Sequence, residues 1–191
     1  MLAYPLEDLV ADMEALVASN DVGRLLNEGA GHLERFVAQP DCVPERLRQV
    51  SGRGSRPNHG TYVLHTSPSG LSVTAVVWGP DDGLGAHDHH TWGLIGVAAN
   101  EITESRYRRL DDGADPDQAR LELDRKGVMK RGGVSVMTPE VDEIHAMHNA
   151  TRTPTVEVHM YGKDLKGLQR CVFDVSTGKV TRFATRAYDN C

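Results

Sequence analysis

The chain has 191 residues, of which 39% are hydrophobic and 25% are charged, as is typical of a globular protein. This composition argues against a wholly disordered, collagen-like or coiled-coil chain. The formal net charge of −6 argues against a general affinity for nucleic acid, because neutralising phosphates requires a basic face. An acidic surface also disfavours binding to anionic membranes.

The N-terminal sequence argues against secretion or membrane insertion. No apolar run approaches the ~18 residues of a membrane-spanning helix. The first nine residues contain acids where a signal peptide needs a basic start and an apolar run, so we expect a cytoplasmic protein. The three cysteines, Cys42, Cys171 and Cys191, are widely spaced and predict neither a disulfide framework nor a cysteine-based zinc site.

The first quarter of the chain has the apolar period of helices. Apolar residues recur at steps of three and four between Leu6 and Val17, which predicts an amphipathic helix. Asn20 or Asp21 is suited to cap a second helix, which carries the apolar residues between 25 and 36. We therefore predict a helical subdomain over residues 1–50.

From Thr61 onwards the pattern changes to short β-rich runs that Gly, Pro and Asp turns separate. The predicted strands cover residues 61–66, 71–78, 91–99, 101–110, 134–138, 143–148, 155–162, 170–175 and 179–184. About eight or nine short strands with turns between them predict a sandwich or closed barrel. We therefore predict a mainly β fold, in which residues 51–191 form a barrel and one structural unit with the helices.

Histidine is the unusual residue type, because six of the nine histidines fall in residues 87–90 and 145–159. Residues i and i+2 of a strand point to the same face, so His87 and His89 are placed to reach one metal ion. Asp88 and His90 then point the other way. In the second stretch, His145 and His148 are three residues apart and face opposite sides of a regular strand, so either one can point inward.

The spacing of Gly133, Pro139, His145 and Asn149 resembles the second cupin motif, and the first histidine stretch resembles the first motif. In the usual cupin pattern a Glu ligand follows the first two histidines, but Gly93 occupies that place here. The predicted ligands are therefore His87, His89 and His145. Three neutral imidazoles suit a divalent transition metal with open coordination positions, without deciding which metal.

Three strings, V-V-W-G-P, H-D-H-H-T-W-G-L-I-G-V and V-H-M-Y-G-K-D-L, together resemble the cysteine dioxygenase family, and more closely its bacterial 3-mercaptopropionate dioxygenase branch. The resemblance covers roughly residues 60–190. It implies a cupin barrel, a mononuclear non-haem Fe(II) on three histidines, and O2 as cosubstrate in oxidising a thiol to a sulfinic acid. It also implies that Tyr161 is the active-site tyrosine, that His159 hydrogen-bonds it, and that Arg170 binds the substrate carboxylate.

Two departures from the family pattern affect the predicted site. Gly93 stands where the cysteine of the family's Cys–Tyr crosslink would be, so we expect Tyr161 to be unmodified, as in the bacterial branch. The Ser-x-His-x-Tyr triad of that branch is here Glu157-x-His159-x-Tyr161. Alternate strand residues share a face, so Glu157 should also point inward. A buried carboxylate needs a partner: Glu157 either orients His159, or meets a substrate cation or a pocket arginine.

The predicted site contains a cationic side chain, Arg170, and an acidic one, Glu157. Two opposite charges in one site favour a zwitterionic substrate. The leading hypothesis is an Fe(II) thiol dioxygenase for a cysteine-like or ergothioneine-like compound. The alternatives are a 3-mercaptopropionate or mercaptosuccinate dioxygenase, a metal-cupin enzyme of another class, and a non-catalytic binding cupin. Trp92 is either a core residue or a wall of the substrate site, and Tyr62 is a further candidate for substrate contact. The expected partner is a small sulfur compound, and the sequence does not indicate an oligomeric state.

Overall fold

A computed structural model describes residues 3–53, 56–139, 141 and 143–191. These residues form two α-helices, a short 3-10 helix and eleven strands. The helices are α1 (Leu6–Ala18) and α2 (Val22–Val37), and the 3-10 helix spans Glu45–Leu47. The strands are β1 (His59–Thr66), β2 (Ser72–Trp78), β3 (Gly83–His87), β4 (Gly93–Ala99), β5 (Glu101–Arg109), β6 (Leu121–Lys130), β7 (Val134–Met137), β8 (His145–His148), β9 (Thr155–Tyr161), β10 (Arg170–Phe173) and β11 (Val180–Phe183).

The strands form two antiparallel sheets, which confirms the predicted mainly β fold with N-terminal helices. The first sheet has the order β1-β2-β9-β4-β7, and the second has the order β11-β10-β3-β8-β5-β6. Late strands lie between early ones in both sheets, since β9 separates β2 from β4 and β8 separates β3 from β5. This interleaving is that of a jelly-roll-like barrel. It brings residues that are far apart in sequence to the barrel interior.

Strand β6 was not predicted from the sequence. Nearly all of its residues are exposed and it lies at the edge of the second sheet, so it lacks the alternation that a half-buried strand shows. Strand β3 ends at His87, so the predicted strand that would carry both His87 and His89 stops before His89.

The two helices cover the outer face of the first sheet. The side chain of Asp21 caps α2 by accepting a hydrogen bond from the Arg24 backbone N–H at 2.9 Å. Buried apolar side chains of both helices share one core with β2, β4 and β9. The division at residue 50 stays a prediction, and residues 1 and 2 of the predicted helical subdomain lie outside the described residues.

Strand β9 shows how the sheet separates this core from the barrel interior. Val156, Val158 and Met160 belong to the core beneath the helices. Alternate residues of the same strand point to the opposite face, and they include His159 and Tyr161, which line an interior cavity. No helix in the described part of the chain is long and apolar enough to cross a membrane.

Candidate metal centre

The structure brings the three predicted ligand histidines together. His87 ends β3 and pairs in register with His145 at the start of β8, while His89 lies two residues beyond β3. The ring centroids are 4.7 Å apart for His87 and His89, 4.7 Å for His87 and His145, and 5.0 Å for His89 and His145. One nitrogen from each ring lies within 4.8 Å of the other two. All three side chains are buried.

The hydrogen bonds of these rings fit a metal site. The Nδ1 atom of His87 lies 2.9 Å from the Gly85 carbonyl, which leaves Nε2 for a ligand. Among the described residues, Nε2 of His145 and Nδ1 of His89 are buried without a hydrogen-bond partner. Burial, together with the neighbouring imidazoles, holds the pKa of His87 and His89 well below the usual value. Neutral imidazoles with unused nitrogens fit a divalent transition metal ion.

Contacts beyond strand β3 hold the His89 ring in place. It stacks on Tyr161, with 5.2 Å between the ring centroids and 18° between the ring planes. The sequence argument placed His89 on a continuing strand. In the structure the chain has already left the sheet there, and the side chain still reaches the centre.

The packing around Gly93 explains why neither a glutamate nor a crosslinking cysteine occupies this position. A Cβ atom at this position would lie 2.3 Å from Cε of Met137 and 2.9 Å from Cε1 of Tyr161. Any side chain here would therefore displace the Tyr161 ring. The three-histidine ligand set and the unmodified tyrosine stay predictions.

Sequence reasoning missed a polar network that supports His145. Glu104 on β5 accepts from Nδ1 of His145 at 2.8 Å, and Ser135 on β7 lies 2.8 Å from the same carboxylate. Arg106, fully buried, lies 2.8 Å from Glu104 and donates to Ser135. Burial opposes ionisation of Glu104, but its hydrogen bond to His145 and the neighbouring Arg106 guanidinium lower its pKa to about 2. Ile102, Glu104 and Arg106 alternate along one strand face, and this pattern in the sequence could have revealed the network.

Replacing Glu104 by glutamine is expected to weaken metal binding by about 10–100-fold, because the amide keeps the shape but removes the charge that orients His145. Competition with a chelator, followed by metal analysis, measures the change. The matched control is Glu101→Gln on the same strand, where the carboxylate is partly exposed and lies 4.0 Å from Lys130. Unchanged metal affinity in Glu104→Gln would contradict this role.

Tyr161, His159 and Glu157 form a buried chain of hydrogen bonds. The Tyr161 hydroxyl lies 2.9 Å from Nδ1 of His159, and Nε2 of His159 lies 2.9 Å from Oε2 of Glu157. Burial raises the pKa of Tyr161, so its hydroxyl stays protonated at neutral pH. When Nε2–H of His159 donates to Oε2 of Glu157, Nδ1 of His159 is left to accept from the Tyr161 hydroxyl.

The surroundings of Glu157 favour the first of its two predicted roles. Its Oε2 atom accepts a hydrogen bond from Nε1 of Trp78 at 2.5 Å as well as that from His159. The side chain is fully buried, and it is not among the residues that line the interior cavity. Glu157 thus contacts His159 through Oε2, while its Oε1 atom is buried without a hydrogen-bond partner among the described residues.

Arg170 lies in the wall of this cavity, which has a volume of about 720 Å³ and is also lined by the three ligand histidines, His159 and Tyr161. The guanidinium group packs over the Phe183 ring at 4.4 Å and donates to Oγ1 of Thr185 at 2.8 Å. Its Nε atom is buried without a hydrogen-bond partner among the described residues. A guanidinium held in this way, with an unused donor, suits an incoming carboxylate.

Three further arginines line the same cavity: Arg53, Arg56 and Arg186. Asp189 is the one acidic residue among the described residues of its lining. Arg56 is paired with Asp82 at 2.9 Å, and the Asp189 carboxylate accepts from the Thr61 backbone N–H at 2.8 Å. The cavity is therefore cationic although the chain as a whole is acidic. Arg53 and Arg56 come from the loop before β1, and Arg186 comes from the C-terminal segment.

The structure does not bring Trp92 or Tyr62 to the cavity. The Tyr62 side chain is buried in the core beneath the helices, where its hydroxyl donates to the Gln49 carbonyl at 2.7 Å. Trp92 is half-buried and packs against that same core. Of the two alternatives for Trp92, the packing favours the core residue. His148 is exposed and pairs with Asp81, so His145 is the residue of β8 that reaches the centre.

No family model matches the sequence. The structure is similar to oxalate oxidase in complex with the substrate analogue glycolate, with 21% identity over 59% of this chain and a TM-score of 0.45. It is also similar to the DMSP lyase DddQ from Ruegeria pomeroyi DSS-3 (12% identity, 63% of this chain, TM-score 0.46) and to an RmlC-like cupin from Shewanella frigidimarina NCIMB 400 (12%, 55%, 0.40). The matched part spans 55% of the oxalate oxidase and lyase chains and 75% of the third.

The fold and the candidate site together describe this protein. It has a jelly-roll-like fold of two antiparallel sheets with a candidate metal centre of three histidines, His87, His89 and His145. A polar network supports His145, and an arginine-lined cavity opens onto the centre.

Proposed function

We propose that this cupin is a non-haem Fe(II) thiol dioxygenase, which adds both atoms of O2 to the sulfur of a small carboxylate-bearing thiol and forms a sulfinic acid. The observation that carries the proposal is one cavity that the three neutral histidines, Tyr161 and Arg170 all face. A ferrous ion held by these histidines would supply the reactivity towards O2 and sulfur. The resemblance to the cysteine dioxygenase family supports the same assignment.

The residues of this chain bind and orient the substrate. Arg170 holds the carboxylate, and its contacts with Phe183 and Thr185 keep the guanidinium in one orientation. Tyr161 presents its hydroxyl to the cavity, and the chain through His159 to Glu157 fixes the direction of that hydrogen bond. Orienting a small thiol in this way removes much of the entropic part of the reaction barrier.

The charges that line the cavity point to an anionic thiol rather than a zwitterion. The zwitterion hypothesis required Glu157 to face the substrate, but this carboxylate bonds to Trp78 and His159. Arginines face the cavity instead, and the lining acid Asp189 already accepts a backbone hydrogen bond. We therefore place 3-mercaptopropionate and mercaptosuccinate ahead of cysteine and ergothioneine as substrates.

Replacing Glu157 by glutamine is expected to lower kcat by about tenfold or more on every thiol, because the amide no longer fixes the tautomer of His159. The ratio of kcat/KM for cysteine to that for 3-mercaptopropionate should stay within about twofold, because the residue does not contact substrate. Steady-state kinetics on both thiols provide the measurement. A double-mutant cycle with Tyr161→Phe is the control, since Glu157→Gln should add little once the hydroxyl is gone. A marked change in the substrate ratio would restore the cation hypothesis.

The proposed function is tested by O2 uptake of the Fe(II)-loaded protein with cysteine, cysteamine, 3-mercaptopropionate, mercaptosuccinate and ergothioneine. We expect uptake mainly with 3-mercaptopropionate or mercaptosuccinate, and a product that carries two oxygen atoms from labelled O2 by mass spectrometry. Uptake mainly with cysteine or ergothioneine would keep the class of enzyme and overturn the substrate assignment. No uptake with any of the five, at confirmed iron occupancy, would overturn the proposed function.

A further inference from the structure

A second group of metal-binding side chains lies behind the candidate centre. It consists of Asp88, His90 and Cys171, whose ligand atoms all lie within 4.8 Å of one another. Asp88 and His90 alternate in the chain with His87 and His89 but belong to this separate group, together with Cys171 of β10. Among the described residues, this group and the three-histidine centre are the two sets of His, Cys, Asp and Glu side chains close enough to hold one ion.

Backbone and side-chain contacts hold these three residues near one another. Cys171 lies on β10 beside the end of β3, where Val172 pairs in register with His87. The Asp88 carboxylate accepts the Cys171 backbone N–H at 2.8 Å, and the Asp88 backbone N–H donates to the Cys171 carbonyl at 3.2 Å. Nε2 of His90 lies 3.5 Å from Oδ1 of Asp88. This separation is close to that of two ligand atoms on one tetrahedral zinc ion with bonds of about 2.0–2.2 Å.

Two hydrogen bonds of its backbone hold His90 in place. Its backbone N–H donates to Glu143 at 2.9 Å, and its carbonyl accepts from Nζ of Lys163 at 3.0 Å. The side chain is 48% exposed, while that of Asp88 is buried and Cys171 is half-buried. An ion can therefore enter from solvent and keep a water as its fourth ligand.

We propose that Asp88, His90 and Cys171 bind a second divalent cation of the zinc type, back to back with the three-histidine centre. A carboxylate oxygen, an imidazole nitrogen and a thiolate sulfur form a donor set that suits zinc and disfavours magnesium or calcium. Cys171 binds as the thiolate and its proton passes to solvent, so no oxidation or reduction takes place. The ion joins the segment that carries His87 and His89 to the strand that carries Arg170. This site does not depend on the proposed thiol oxidation.

Cobalt(II) is the probe, because a thiolate ligand gives cobalt a near-ultraviolet charge-transfer absorption that histidine ligands do not produce. Iron-free full-length protein is titrated with Co²⁺ in the absence of O2 and thiols. We expect two ions per chain and a thiolate band. Cys171→Ser should lose the band and one ion, whereas Cys42→Ser should keep both. His145→Ala should keep the band, which separates this site from the three-histidine centre.

The exposed His90 provides a second variant that does not disturb the core. His90→Ala should weaken cobalt binding at the thiolate site by more than the roughly 10–100-fold typical of losing a mere supporting residue. Thermal unfolding of metal-free Cys171→Ser should match that of the wild type, which shows that loss of the band reflects the ligand and not the fold. No thiolate band at saturating Co²⁺, or a band that persists in Cys171→Ser, would overturn the proposal.

Discussion

His145→Ala is expected to lose the iron of the three-histidine centre and O2 uptake together, whereas His148→Ala should keep both within about twofold. The two histidines lie on the same short strand, yet His145 is buried with its Nε2 facing the other ligand rings and His148 is exposed beside Asp81. Removing one of three protein ligands should cost more affinity than the roughly 10–100-fold that follows loss of a supporting residue. Iron content per chain after dialysis, and O2 uptake with the best thiol, measure the two effects.

The two variants distinguish the predicted ligand His145 from the exposed His148 on the same strand. His145→Ala also removes one hydrogen-bond partner of the Glu104 carboxylate, so circular dichroism should show that the variant is folded before its iron content is interpreted. A folded His145→Ala protein that retains one iron per chain would contradict the assignment of this ligand. Loss of iron in His148→Ala would place the centre elsewhere on β8.

Arg170→Ala is expected to reduce kcat/KM for carboxylate-bearing thiols by about 30-fold to more than 1,000-fold, which corresponds to the ~2–5 kcal/mol cost of truncating one partner of a buried ion pair. The side chain is 5% exposed and its Nε has no hydrogen-bond partner among the described residues. Arg170→Lys should give an intermediate loss, because a lysine keeps the charge without the planar fork.

Two comparisons distinguish carboxylate binding by Arg170 from a structural role. Cysteamine has no carboxylate, so any activity with this thiol should change little in Arg170→Ala. Arg182→Gln on the neighbouring strand is the matched control, because Arg182 is exposed and pairs with Asp117 at 3.3 Å. If Arg170→Ala lowered kcat/KM equally for cysteamine and 3-mercaptopropionate, Arg170 would act on the fold and not on the carboxylate.

The elements with strong local patterns could be predicted from the sequence. The helices show periods of three and four, and strands such as β2, β4 and β9 are short apolar or alternating runs between turns. Strand β6 could not be predicted in this way, because its exposed side chains carry no burial pattern. It exists because β5 provides a paired partner along its whole length.

The residues of the candidate site also divide into those that the sequence could place and those that it could not. Alternation along the chain already placed His87 with His89, and His159 with Tyr161, because side chains two residues apart on extended backbone share a face. The same rule left His145 and His148 open, since it assigns them to opposite faces without stating which face is inside. Pairing of β8 with β3 decided that question.

The sequence by itself determined the chemical inventory of the candidate site: three imidazoles that could hold a metal ion, a tyrosine and an arginine, and the β architecture that holds them. Only the tertiary structure decided which side chains contact the carboxylates of the site. Glu104 supports His145 across 41 positions of sequence, and Glu157 meets Trp78 across 79. Such partners come from pairing between strands that are distant in the chain, and local periodicity carries no information about which strands pair. This is why alternation placed Glu157 correctly on the inner face but could not identify Trp78 as its partner.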